Sequence, residues 1–118
     1  MSIIDLLPGD AQLTSLQAGH VIFAQGDPGD FMYVVVEGDV QVLIEGKAVE
    51  RVGPGGIVGE MALIDSGARS ATAITKTKCL VVAVDEPRFK DLVGQHPEFA
   101  LQVMRILARR LRRMDSER

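Results

Sequence analysis

The sequence predicts a mainly β protein, an antiparallel β-barrel or jelly roll (double-stranded β-helix) followed by two C-terminal helices. Short segments rich in β-branched residues succeed one another, glycine-containing turns separate them, and the apolar pattern changes to a helical period after Asp85. The chain has 118 residues, 47% of them hydrophobic, which suffices for one core but not two. We therefore expect one domain over residues 1–118.

The predicted strands form an antiparallel meander. Glycine occurs in the intervening turns "QGDPGD", "EGD" and "EGK", where it accepts backbone conformations that other residues disfavour. Val40, Val42 and Ile44 alternate with Asp39 and Gln41, as expected of a strand with one buried face. The clearest segments are "HVIFA", "FMYVVVE", "VQVLIE", "KAVERV", "RSATAITKT" and "CLVVAVD". We expect about eight strands in all, forming a barrel over residues 12–84 or so.

Two helices are predicted after the strands. Asp85 has the side chain of an N-cap residue, a proline lies in the first turn, and Gly94 is a stop signal, so the first helix should span about 86–94. Pro97 opens a second helix that should reach about residue 114.

The second helix has a wide apolar face. One apolar stripe contains Ala100, Val103, Leu107, Leu111 and Met114, and a second contains Leu101, Met104 and Ala108. The narrower polar arc contains Gln102, Arg105, Arg109, Arg112 and Arg113. Either part of the apolar face meets a partner helix or covers a pocket, or the whole helix is buried in its own fold.

The bulk properties exclude several classes of protein. A net charge of −3 offers no long-range attraction for nucleic acid or an anionic membrane. The N-terminal "MSIIDLLPGD" lacks the basic region of a secretory signal, and the longest apolar runs have the length of strands, so we expect a cytoplasmic protein without membrane contact. The single cysteine, Cys79, heads an apolar strand and is predicted to lie in the core.

The stretch "GEMALIDSGARSATA" carries the candidate site. "GPGGIVGE" before it is no dinucleotide fingerprint, because the third glycine of that pattern would fall on Val58. Gly59 is followed by a predicted helical turn, whose first amides can bind an anion. Arg69 can hold two phosphate oxygens, and Glu60 can accept a hydrogen bond from a sugar hydroxyl. The pair therefore indicates a sugar phosphate, although an ordinary salt bridge across the turn is the alternative.

These residues resemble the phosphate-binding cassette of the cyclic nucleotide-binding domain family. Val58-Gly59-Glu60, the apolar turn after it and the sequence Arg69-Ser70-Ala71-Thr72 match that cassette, including its nine-residue step from acid to arginine. The upstream "QGDPGDFMYVVVEGDVQVL" is similar to the family's glycine-separated strands. Val58 in place of an aromatic residue and Ala68 in place of proline are departures.

The resemblance implies a cyclic nucleotide ligand, with cAMP expected and cGMP as the alternative, and no other cofactor or metal. Glu60 would bind the ribose 2′-hydroxyl and Arg69 the cyclic phosphate. The implied ligand-binding residues are Val58, Gly59, Glu60, Met61, Ala62, Arg69, Ser70 and Ala71. Ser70 leaves the choice of base open. The C-terminal helix would cover the base and pair two subunits into a homodimer, and its movement would signal to an effector protein.

The function expected is therefore that of a stand-alone, non-enzymatic cyclic nucleotide sensor. The only histidines, His20 and His96, do not form a metal-binding cluster with carboxylates in sequence, and no catalytic triad is evident. Because the chain ends at Arg118, we expect no helix-turn-helix and no direct DNA binding. The alternative is a degenerate module that serves dimerisation or docking without a ligand. A DNA-binding role for the arginines near the C-terminus is a third, weaker hypothesis.

Overall fold

The computed structural model describes residues 2–65 and 67–116, with side chains up to Met114. Met1, Ser66, Glu117 and Arg118, which the predicted domain includes, lie outside the described residues. The strands are β1 (Thr14–Leu16), β2 (Val21–Phe23), β3 (Met32–Glu37), β4 (Val40–Ile44), β5 (Lys47–Val52), β6 (Ile57–Val58), β7 (Thr72–Thr75) and β8 (Cys79–Val84). The helices are α1 (Met61–Ile64), α2 (Glu86–Gln95) and α3 (Glu98–Ser116).

The strands form two four-stranded antiparallel sheets with the orders β1-β8-β3-β6 and β2-β7-β4-β5. The prediction of a mainly β antiparallel fold with C-terminal helices is confirmed, and of the two predicted forms, barrel or jelly roll, the structure shows no closed barrel in the part of the chain that it describes. Within the described ranges, no strand of one sheet pairs with a strand of the other, so both sheets are open. Alternation of apolar and polar residues reports which face of a strand is buried, and that pattern is the same for a sandwich and a barrel.

The first sheet separates two hydrophobic clusters, because alternate residues of its strands point to opposite faces. Val35 and Val81 face the second sheet and pack with its residues. Val34 and Val82, their neighbours in sequence, face the helices. Both faces of this sheet are thus covered, which explains why "FMYVVV" and "CLVVAV" are continuously apolar. Cys79 is buried in the cluster between the sheets, as predicted.

Two short strands were absent from the segments recognised in the sequence. The strand β1 has three residues, two of them exposed, and it pairs with β8 at one edge of the first sheet. The strand β6 has only two residues, Ile57 and Val58, and lies within a glycine-rich run, yet both are buried. Segments this short carry too few residues for a period to be recognised.

The helices α2 and α3 cover the outer face of the first sheet. The Asp85 side chain accepts a hydrogen bond from the Arg88 amide at 3.0 Å, which caps α2 as the sequence predicts. The helix continues one residue past Gly94, to Gln95, and His96 caps its end. A 3₁₀ turn over Ile3–Leu6, closed by a capping box at Ser2, packs into the same cluster as α3.

The helix α3 is buried along one side only. Phe99 and Val103 lie in the core, whereas Met104, Leu111 and Met114 are more than half exposed. The alternative of a helix wholly buried in its own fold is therefore wrong, and among the described side chains three large apolar ones remain uncovered on α3. We call Met104, Leu111 and Met114 the outer face of α3. None of the helices in the described part of the chain is long and apolar enough to cross a membrane.

Candidate functional site

The site is built where the short strand β6 leads into α1. Gly59 joins them with a φ of +77°, a conformation that residues with a Cβ rarely adopt. Glu60 follows as the N-cap residue of α1, and the four residues Met61–Ile64 complete the helical turn expected from the sequence. The Ala62 amide donates to the Gly59 carbonyl at 3.2 Å, so that amide is already used within the turn.

Arg69 lies opposite this turn, and its main chain is fixed by the loop between β2 and β3. The Arg69 amide donates to the Asp27 carbonyl at 2.7 Å, and the Gly26 amide donates to the Arg69 carbonyl at 2.8 Å. Pro28 and Ala68 form a further antiparallel bridge between the same two segments. The "QGDPGD" turn therefore acts as a backbone support for the arginine, a role that its sequence did not indicate.

The Arg69 guanidinium is buried, with 7% of the residue exposed. Its Nη1 donates to the Gly59 carbonyl at 3.1 Å, and its Cζ lies 4.1 Å from the centre of the Phe23 ring. Among the residues that the structure describes, Nε has no hydrogen-bond partner. A buried N–H of a charged group without an acceptor is costly, so this atom is a candidate ligand contact.

The electrostatic environment of Arg69 is mixed. Burial lowers the pKa of the guanidinium, since charge is disfavoured away from water, and Tyr33, Asp30 and Asp27 oppose that effect. The phenyl ring of Phe23 below the guanidinium also favours its charged form through a cation–π contact. Phe23 stacks in turn on Tyr33, with ring centres 6.2 Å apart. Arg69 is thus a charged group in a partly apolar pocket.

Two glycines allow the guanidinium to lie where it does. A Cβ on Gly29 would overlap the Nε and Cζ atoms of Arg69, and a Cβ on Gly59 would overlap its Nη1. Side chains at these two positions would therefore displace the arginine or distort the loops that carry it.

Glu60 is also buried, with 5% exposed, but its partner is not Arg69. Its Oε1 is paired with Nη1 of Arg110, which reaches the site from α3. In the described structure no ion pair joins Glu60 to Arg69, so the alternative of a salt bridge across the turn is wrong. The two charged groups are therefore held by different partners, Arg69 by the Gly59 carbonyl and Glu60 by Arg110.

The other predicted site residues lie around this pair with different degrees of exposure. Val58 and Ala62 are buried, Ala71 is half-buried, and Met61 and Ser70 are exposed. All eight predicted residues therefore belong to the same region, between β6 and the start of β7.

Sequence reasoning missed three contributors: Arg110, Glu50 and Phe23. On a helical wheel, Arg110 lies within the apolar face of α3, between Phe99 and Val103. A charged residue on an otherwise apolar helix face is a sequence signal that could have identified Arg110. Glu50 and Phe23 had no such signal, because their contacts with arginines are set by the tertiary fold.

Among the described residues, cavities also lie away from this pair of charged groups. One of about 410 Å³ lies between the segment before β1, β8 and α2, and one of about 620 Å³ lies between the β2–β3 loop, α1 with the loop that follows it, and the start of α2. Neither is lined by Glu60 or Arg69. Across the described part of the chain, no cluster of three metal-ligating side chains occurs.

The fold and the site define a class: a small two-sheet module whose C-terminal helix reaches a buried carboxylate beside a buried arginine. The model of the family described as the cyclic nucleotide-binding domain matches residues 13–96. The chain therefore belongs to the cyclic nucleotide-binding domain family.

Similar proteins include regulators and a channel. A CRP-like cAMP-activated global transcriptional regulator of Mycobacterium tuberculosis is 32% identical over 98% of this chain and 54% of its own length. A cyclic nucleotide-gated potassium channel of Mesorhizobium japonicum is 40% identical over 73% of this chain and 24% of its own. The crystal structure of the Thermus thermophilus catabolite activator protein superposes with a TM-score of 0.81 at 33% identity, over 98% of this chain and 56% of that one. The chain spans about half the length of these regulators.

Proposed function

We propose that this chain is a non-enzymatic cAMP sensor, in which Arg69 binds the cyclic phosphate and Glu60 accepts a hydrogen bond from the ribose 2′-hydroxyl. The observation that carries the proposal is the buried guanidinium of Arg69, whose Nε lacks an acceptor among the described residues. An anionic oxygen would supply that acceptor and compensate the buried charge. The membership of the family makes a cyclic nucleotide the natural source of the oxygen.

The separation of Glu60 from Arg69 supports the assignment of two roles. A carboxylate that paired with Arg69 would compete with a phosphate for the same N–H groups. Glu60 instead pairs with Arg110. A ribose hydroxyl can donate to such a carboxylate while the adjacent phosphate contacts Arg69. Gly59 leaves room for the Arg69 guanidinium, since a Cβ there would overlap its Nη1.

The preference for cAMP over cGMP rests on the regulators to which the chain is similar, one of which is described as cAMP-activated. Ser70, which follows the phosphate arginine, is exposed, so its hydroxyl is accessible to a bound purine. In the family, threonine at this position favours guanine in some members. We therefore propose cAMP as the ligand and Ser70 as the position that sets the choice of base.

Signalling is proposed to proceed through α3. Arg110 links that helix directly to Glu60, so a hydroxyl that binds Glu60 changes the environment of an α3 residue. A ligand shifts the position of a helix only as far as it binds one arrangement better than another. The outer face of α3 supplies an apolar surface for a second copy of the chain.

Isothermal titration calorimetry tests the proposal. We expect the wild-type chain to bind cAMP more tightly than cGMP, and Arg69→Gln to lower the affinity for cAMP by at least about a hundredfold, since a charge-assisted contact to phosphate is lost. Arg105→Gln, which removes an exposed arginine of α3, is the matched control and should bind as the wild type. Absence of binding by the wild type, or equal binding by Arg69→Gln, would overturn the proposal.

A second candidate function is a docking or dimerisation module without a ligand. The observation in its favour is that Arg110 already satisfies Glu60 and donates to the Ile57 carbonyl at 2.6 Å. This candidate predicts that the chain self-associates equally with and without millimolar cAMP and that calorimetry detects no heat of binding. The evidence against this candidate is that Nε of Arg69 has no hydrogen-bond partner among the described residues.

A further inference from the structure

Glu50, in the middle of β5, is contacted by two arginines of α3. Arg110 Nε donates to Glu50 Oε2 at 3.0 Å, and Arg113 Nη2 lies 3.2 Å from the same oxygen. The Glu50 and Arg110 side chains are only 18% and 19% exposed. Water therefore screens the first of these pairs less than it screens an ordinary surface salt bridge.

Arg110 is shared between two carboxylates on different elements. Its Nε faces Glu50, its Nη1 faces Glu60, and its Nη2 donates to the Ile57 carbonyl. A guanidinium can serve all three because its N–H groups diverge in one plane. One side chain thus ties α3 to β5, to β6 and to the start of α1.

The two carboxylates differ in whether a bound nucleotide would contact them. On the proposed function, the ribose hydroxyl donates to Glu60 and so competes with Arg110 for its oxygens. Glu50 has no part in that contact. If Glu60 were the only carboxylate available to Arg110, binding of the ribose and docking of α3 would oppose each other.

We propose that Glu50 is a positioning residue that keeps Arg110, and with it this turn of α3, against β5 while a nucleotide occupies Glu60. The inference rests on the proposed function. Glu50 would make the Arg110 turn the pivot about which the rest of α3 moves. Coupling between two equilibria is reciprocal. If docking of α3 and binding of the ligand compete, each therefore weakens the other.

Hydrogen exchange of the full chain, with and without saturating cAMP, tests the inference. In the wild type, the protection of amides near Arg110 with cAMP bound should stay within about twofold of its value without cAMP. In Glu50→Gln, cAMP should lower that protection by about tenfold, and the affinity for cAMP should fall by about fivefold. Glu98→Gln, which removes the carboxylate of a different ion pair on α3, is the control and should behave as the wild type.

The measured quantity is the change in amide protection that cAMP causes. A merely structural role for Glu50 would not alter that change. Arg110→Lys gives a second route to the same result, since one ammonium group cannot serve both carboxylates. It should show the same cAMP-dependent loss of protection. If cAMP binds but protection near residue 110 responds equally in the wild type and both variants, this inference is overturned and the proposed function stands. Failure of the wild type to bind cAMP would overturn both.

Discussion

The guanidinium of Arg69 depends on small neighbours as much as on charged ones. Gly29 lies directly beside its Nε and Cζ atoms, and Phe23 lies beneath it. The main chain of Arg69 is held by two hydrogen bonds to the β2–β3 loop, so it cannot move aside freely. A methyl group at position 29 would therefore have to displace the Arg69 side chain rather than its main chain.

Gly29→Ala should weaken cAMP binding by about tenfold, since overpacking of one methyl group costs about 1–3 kcal/mol and here falls on the phosphate-binding side chain. Calorimetry checks this. Gly94→Ala is the matched control, because a Cβ there meets no atom and the residue lies inside α2. An undiminished affinity of Gly29→Ala would show that the guanidinium position does not matter for binding.

Residues close in sequence could be assigned to the site, and residues distant in sequence could not. Glu60 and Arg69 were found because one short segment contains both, with Gly59 beside the acid. Arg110 is fifty residues away from Glu60, and only the packing of α3 brings it near. A pattern within a segment records local geometry, whereas this contact depends on the crossing of separate elements.

At the scale of elements, α2 is the helix whose start the sequence specified best. Asp85 accepts a hydrogen bond from the Arg88 amide, Glu86 lies in the first turn, and a proline occupies one of its first positions. These features satisfy amides that have no partner within the helix and complement its dipole. The position of α2 matters for α3, because Phe89 and Phe99 contact each other edge to face at 5.5 Å.

Asp85→Ala should lower the free energy of unfolding by about 1 kcal/mol, since the N-cap hydrogen bond is lost. Urea unfolding followed by circular dichroism measures the difference. Asp91→Ala, an exposed change in the same helix, is the control and should stay within about 0.5 kcal/mol of the wild type. Equal effects of the two substitutions would contradict a specific role of the cap.

At the scale of the whole molecule, helices form a third layer over one face of the sandwich. Sheet β1-β8-β3-β6 lies in the middle and is apolar on both faces, whereas its partner sheet has an exposed face. The continuous apolar runs of β3 and β8 reflect this burial on both faces. The sequence could not indicate whether the sheets close into a barrel, because closure depends on pairing between edge strands that lie far apart in the chain.

The uncovered outer face of α3 leads to a prediction about assembly. The chain should form homodimers through Met104, Leu111 and Met114, and Leu111→Lys should weaken the dimer at least about tenfold, since a charge replaces a buried contact. Sedimentation velocity over a concentration series measures this. Val49→Lys, at an equally exposed apolar position on β5, is the control. A wild type that stays monomeric throughout the series would exclude this interface.

The aromatic stack beneath Arg69 has a practical use. Tyr33 is the single tyrosine of a chain that contains no tryptophan, and its ring stacks on the Phe23 ring that supports the guanidinium. Essentially all of the protein's own fluorescence therefore originates one ring away from the phosphate-binding side chain. Tyr33 fluorescence can therefore report on the site without an attached label, and no tryptophan emission has to be subtracted.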